Sequence, residues 1–315
     1  MFSLLGGVFL GWSLGANDAS NIFGTAVSSK MVKFGTAAVL ASIFVVAGAV
    51  MSGSAGIETL KGLTSFDMTQ AVIASVAAAV SVSLMTVFSL PVSTSQSVVG
   101  AIIGIGIING QVNTAGLSKV VACWVGTPVG GAVICFILYK VIAFFYNRSG
   151  ISLFGSDLLL RTCLILSGSY GAYALGANNV ANVSAVFVGA DMLSVFQASL
   201  LGGLSIALGI ITFSRPVMET VGKRLVQLDP FSALMVSLSL GATIHLYTMI
   251  GVPVSSSQAV IGAVLGIGIV KGVKTVSLAT LKSIFLAWVL SPIVACGVSV
   301  LLILLSRLQY VPPVP

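Results

Sequence analysis

Apolar residues along this 315-residue chain gather into long blocks, and runs such as 34–52, 71–89 and 280–305 each reach about the 20 residues a helix needs to cross hydrocarbon. Read in order, the blocks predict ten elements, near 2–30, 34–53, 67–89, 91–109, 118–146, 158–190, 193–213, 231–250, 253–270 and 277–306. The first, fourth, sixth and ninth are each interrupted by a short polar motif. Such a stretch survives at membrane depth only against protein or a watery cavity, because backbone groups in hydrocarbon must be bonded internally. The pattern therefore predicts an all-α polytopic membrane protein with broken or re-entrant helices.

The chain is written twice. Gly15-Ala16-Asn17-Asp18-Ala19-Ser20-Asn21 recurs 161 residues later as Gly176-Ala177-Asn178-Asn179-Val180-Ala181-Asn182. Pro91-Val92-Ser93-Thr94-Ser95-Gln96 recurs after 162 residues as Pro253-Val254-Ser255-Ser256-Ser257-Gln258, with 11 identities in 16 positions when the match is extended to Gly106 and Gly268. Glu58-Thr59 and Glu219-Thr220 repeat at 161, and Trp124 to Pro128 echoes Trp288 to Pro292 at 164. Four landmarks in one order at near-constant offset predict two copies of one unit, 1–150 and 151–315, joined near Asn147-Arg148-Ser149-Gly150. Five is odd, so if every element crosses once the second copy enters from the opposite side, as an inverted repeat. Alternating sides puts eleven of the Lys and Arg residues on one side and only Lys61, Lys119 and Arg307 on the other. By the positive-inside rule the rich side is the cytoplasm, which places both termini outside a plasma membrane.

Composition narrows the class. With 57% hydrophobic and 7% charged residues and a mean hydropathy of +1.14, the chain cannot clothe a water-facing surface. Its net charge of +7 reads as topology signalling rather than nucleic-acid binding. The start lacks the basic region of a cleaved signal, so the first apolar block is expected to persist. Cys123, Cys135, Cys163 and Cys296 sit in apolar runs without metal-ligand spacing, and His245 is the only histidine, a packing residue more readily than a proton relay.

The motifs carry the candidate chemistry. Proline blocks helix continuation, and Ser or Thr caps a new one, so helical segments are expected to begin at Ser93, Thr94, Ser95, Gln96 and at Ser255, Ser256, Ser257, Gln258. A first turn offers free N–H groups and the positive end of a dipole, and these side chains add donors for a tetrahedral oxyanion. Neither motif contains Lys or Arg. Removable cations are the alternative to fixed ones. Asp18 and the side-chain carbonyls of Asn17, Asn21, Asn178 and Asn182, with backbone carbonyls freed where a helix unwinds, would give them an all-oxygen seat. Asp18 is an intramembrane carboxylate, functional by default, and its counterpart Asn179 is neutral. Glu58 and Glu219 are second candidates for cation binding, weighed against interface carboxylates.

At these residues the sequence resembles the inorganic phosphate transporter family, whose halves carry Gly-Ala-Asn-Asp and Pro-Val-Ser-[Thr/Ser]-Ser-Gln signatures. The resemblance implies a symporter importing inorganic phosphate with Na+, or in many bacterial members with H+, through inverted repeats and often as a homodimer in membrane lipid. It also implies that Asn21, Asn182 and the two Ser/Thr/Gln stretches touch phosphate, and that Asn17, Asp18, Asn178, Asn179, Glu58 and Glu219 serve sodium. No organic cofactor and no enzymatic activity are expected, since neither serine-rich motif has a nearby His or Lys base. Rival readings are a proton-coupled phosphate or sulfate permease and, from another class, an anion channel. The short passage from Tyr146 to Leu158 replaces the large hydrophilic insert of many relatives, which speaks against regulation through it.

Overall fold

The computed structural model describes residues 2–87, 92–224, 228–272 and 278–309. Among them every regular element is helical: a 3-10 turn at Phe2–Leu4, then α1 (Leu5–Ser28), α2 (Phe34–Ser52), α3 (Ser54–Lys61), α4 (Met68–Val87), α5 (Thr94–Asn109), α6 (Thr114–Arg148), α7 (Leu153–Gly189), α8 (Val195–Arg224), α9 (Pro230–Met249), α10 (Ser256–Lys271) and α11 (Leu278–Gln309). Ten of these match the ten expected blocks, and α3 is an addition that the hydropathy pattern does not predict. Seven of the helices, α2, α4, α6, α7, α8, α9 and α11, are long and apolar enough to span a membrane.

Two expectations need correction. Gly15 to Asn21 and Gly176 to Asn182 do not interrupt their elements; α1 and α7 run through them as continuous helices. No carbonyls are therefore freed there, and the motifs contribute side chains only. The expected breaks in the fourth and ninth elements do occur, before α5 and α10, each 16 residues and about 24 Å long, too short to cross alone. Both begin at a serine cap, Ser93 or Ser255, and both end at a glycine in the left-handed region, Gly110 at φ +66° and Gly272 at φ +64°.

Neither half stands alone. α1 lies along α8 and α7 along α2, while α5 lies on α11 and α10 on α6, so each half packs mainly on the other. Glycines set these approaches in matched pairs. A Cβ at Gly15 would overlap the Ile206 carbonyl, and one at Gly176 the Val45 carbonyl; Gly48 meets Tyr173 and Gly209 meets Trp12 in the same way. Gly100 and Gly262 likewise seat the short helices on Pro292 and Pro128 of the long ones.

The buried apolar residues form two clusters, one holding Leu14, Val45, Leu175 and Ile206, the other Leu10, Ala49, Val180 and Ala198. On α1, α2, α7 and α8 the change from one cluster to the other falls near mid-helix. At the edge of the bundle Asp229 caps α9, accepting from the Ser232 amide at 3.0 Å, and pairs with Lys271. Burial pushes the Asp229 carboxyl up, but hydrogen bonds from Lys271 and Ser232 with the Lys271 charge outweigh it and hold the group below its ordinary 3.8. A depressed carboxylate stabilises above its ordinary value and loses that contribution as pH falls through its folded value. Asp229→Asn keeps the cap and removes the charge, so it is expected to melt below wild type at pH 7, with the gap closing well below pH 3.8. Thermal melts in detergent check this.

Candidate functional site

The polar motifs converge at the level where the two apolar clusters meet. α5 and α10 bring their first turns together there, and each turn braces the lead-in of the other. Ser95 Oγ donates to the Val254 carbonyl at 3.0 Å, and its counterpart Ser257 Oγ donates to the Val92 carbonyl at 3.4 Å. Within each turn the caps are matched as well, Gln96 N donating to Ser93 Oγ and Gln258 N to Ser255 Oγ, both at 3.4 Å. Two helix N-termini thus share one centre, where their dipoles add positive potential without a cationic side chain.

α1 and α7 supply the facing wall. Asn21 Nδ2 donates to Ser256 Oγ at 3.0 Å, and the Asp18 carboxylate lies beside the same hydroxyl. From the other side Asn182 Nδ2 donates to Ser95 Oγ at 2.9 Å and to Asn179 Oδ1 at 2.8 Å. Asp18, with 6% of its surface exposed, is the only buried Asp, Glu, Lys or Arg among the described residues. An isolated buried carboxylate is costly unless a cation or donors compensate it. No Lys or Arg is buried with it among the described residues, which leaves the carboxylate open to a hard cation.

Buried polar atoms without a protein partner concentrate in the same place: Thr94 Oγ1, Gln96 Oε1, Asn179 Nδ2, Asn182 Oδ1 and Gln258 Oε1. Each such atom costs roughly 1–3 kcal/mol when unmatched, so five around one centre mark a ligand site better than a packing defect. Ser97 Oγ, one turn along α5, belongs to the same set. Sequence reasoning passed over it, although a serine inside an apolar helix beside the motif was visible.

The expected residues do not all share this centre. Asn178 is committed elsewhere. Its Nδ2 donates to Thr248 Oγ1 and the Val252 carbonyl at 3.1 and 3.2 Å, and its Oδ1 accepts from Val254 N at 2.9 Å. It clamps the lead-in to α10. Asn17 is half-buried on α1 beside Asp18, its carbonyl accepting from Ser20. Glu58 is 52% exposed on α3 and paired with Lys61 at 2.7 Å, away from the buried centre. Pro91 and the side chain of Glu219 lie outside the described residues. His245 accepts or donates at Nδ1 with Tyr170 Oη at 3.0 Å in the α7–α9 seam and does not reach the centre. Among the described residues no cluster of three or more His, Cys, Asp or Glu side chains could hold a metal ion.

Comparison with known proteins bears on this centre. The sequence profile of the phosphate transporter family matches residues 14–156 and again residues 154–299. A protein of Methanocaldococcus jannaschii that bears the name phosphate permease is 29% identical over 287 residues, 91% of either chain. The sulfate permease of Bacillus subtilis is 27% identical over 307 residues, 96% of this chain and 86% of that one. A solved structure described as the sodium-dependent phosphate transporter superposes with a TM-score of 0.85 at 25% identity, covering 97% of this chain and 98% of that one.

Proposed function

The chain belongs to the phosphate transporter family, and from that premise we propose that it imports inorganic phosphate with Na+ across the plasma membrane by alternating access. The reading includes two oppositely oriented repeats, 1–150 and 151–315, with both termini outside and the homodimer that the resemblance implies. One observation supports it above all: two helix N-termini and a ring of unpartnered polar atoms meet beside a single buried carboxylate, with no buried Lys or Arg among the described residues. Amides of the first turns, Thr94, Gln96 and Gln258, together with Asn21, face the anion's oxygens, while Asn182, its nitrogen spent on Ser95 and Asn179, leaves an oxygen that accepts from a protonated oxyanion. Asp18 and Asn17 hold Na+ next to it.

Charge explains coupling. A divalent phosphate beside ionised Asp18 leaves roughly −3 of formal charge in a low-dielectric cavity, which about two or three Na+ would neutralise. Anion and cation then bind cooperatively, each raising the affinity of the other by the same factor. The near-neutral loaded complex lets the bundle rock, whereas partial loading leaves an unbalanced charge that resists closure.

The likeness to a sulfate permease favours a second cargo, sulfate, which has the same tetrahedral shape. Uptake of labelled phosphate into liposomes, with Na+, Li+ or K+ outside and sulfate as competitor, separates the readings. Saturable uptake that needs Na+ and resists sulfate is the expected result. Acid-driven uptake in sodium-free buffer would instead establish proton coupling, and ohmic conductance would establish a channel.

A further inference from the structure

The two halves of the site are not equivalent, and the difference is concentrated at one residue. Position 18 is aspartate and its counterpart 179 is asparagine. A neutral amide can serve a cation through its oxygen or an anion through its nitrogen, so its orientation decides which ligand it serves.

Neighbouring hydrogen bonds fix that orientation. Ser95 has one hydroxyl hydrogen, and the Val254 carbonyl, which can only accept, takes it at 3.0 Å. Ser95 Oγ must then accept from Asn182, so the atom of Asn182 that faces it at 2.9 Å is the amide nitrogen. The same nitrogen lies 2.8 Å from Asn179, which must therefore present its carbonyl oxygen in return. Asn179 Nδ2 is what remains. It belongs to a side chain with 1% of its surface exposed, and it has no partner in the protein. Through Asn182 the residue is tied to Ser95 in the first turn of α5, and through Ser95 to the lead-in of α10.

We propose that Asn179 is a direct donor to the tetrahedral oxyanion rather than a cation ligand, so that the second half grips the anion while the Asp18 half alone carries fixed charge for the cation. This assignment rests on the transporter reading above. A carboxylate at 179 would offer no N–H to the anion and would repel it. It would also give the second half its own cation ligand, Asn178 being already spent on Thr248, Val252 and Val254.

Purified protein in detergent tests this by equilibrium binding of labelled phosphate and, in parallel, labelled sulfate, each over a series of NaCl concentrations. For whichever oxyanion wild type binds, Asn179→Ala is expected to weaken anion affinity at saturating NaCl by about tenfold, the loss of one charge-assisted donor, with half-saturating Na+ measured at matched anion occupancy unchanged. Asn179→Asp is expected to weaken it further at low NaCl and to steepen the Na+ dependence. The near-isosteric Asp variant keeps the test sharp if the Ala variant fails to elute as a single species. Unchanged anion affinity in both variants, or weakened Na+ binding with anion affinity intact, would overturn the assignment alone. Wild type that binds neither anion would overturn the transporter reading and the assignment together.

Discussion

Asp18→Asn is expected to lower Na+-coupled phosphate uptake about 100-fold while the bundle stays folded. A charge-assisted contact to a buried carboxylate is worth roughly 1.5–3 kcal/mol, and Asp18 is the only buried side chain of its charge among the described residues, so nothing nearby replaces it. Folding is expected to survive because α1 is continuous through the position and the new amide matches the old carboxylate in size. The repeat supplies an internal precedent, since Asn179 already occupies the equivalent place in α7. Uptake into liposomes, read beside elution profile and helical circular dichroism, measures both halves of the expectation. Near-normal sodium dependence in a well-folded variant would remove Asp18 from the cation site.

Gly48→Val is expected to have the largest effect on stability. A Cβ there would overlap the Tyr173 carbonyl, a backbone atom on a packed helix that cannot swing aside, so α2 and α7 must separate. The cost is about 3 kcal/mol or more, seen as a melting temperature lowered by several degrees and poor recovery from detergent. Gly35→Ala in the same helix is the control, because nothing lies within 4 Å of the added carbon. It should melt at or slightly above wild type, an alanine being the better helix former. Equal melting of the Gly48 variant would show that these helices tolerate wider spacing than their backbones imply.

The ten long apolar elements and their helical kind were legible in the sequence because bilayer thickness sets a minimum block length for a spanning helix. The break before α5 and α10 was legible too, through proline followed by a capping serine. At Gly15 and Gly176 the same kind of reasoning went astray. Glycine beside asparagine reads locally as a helix breaker, whereas both glycines exist to admit the backbone of a partner helix more than 100 residues away, which no local pattern records. Asn178 shows the same limit. Its residue type suited a cation seat, and only the folded path of residues 248–254 gives it three hydrogen bonds to make. Asn21, Asn182 and the serine-rich turns converge as the sequence suggested, since a polar side chain inside an apolar helix has few other places to go. Glu58 lacked that constraint. It lies on α3, a short helix the hydropathy pattern did not reveal, where Lys61 and solvent satisfy it.

The exchanged pairing of helices bears on how the protein is made. α1 emerges from the ribosome before α8, yet the surface that receives Gly15 is built around Ile206, and α2 waits in the same way for Tyr173. About 190 residues must follow Gly15 before that surface exists, and 235 separate Asn21 from the Ser256 hydroxyl of α10 that receives it. Biogenesis therefore depends on the insertion machinery sheltering the polar face of α1 while those residues are made.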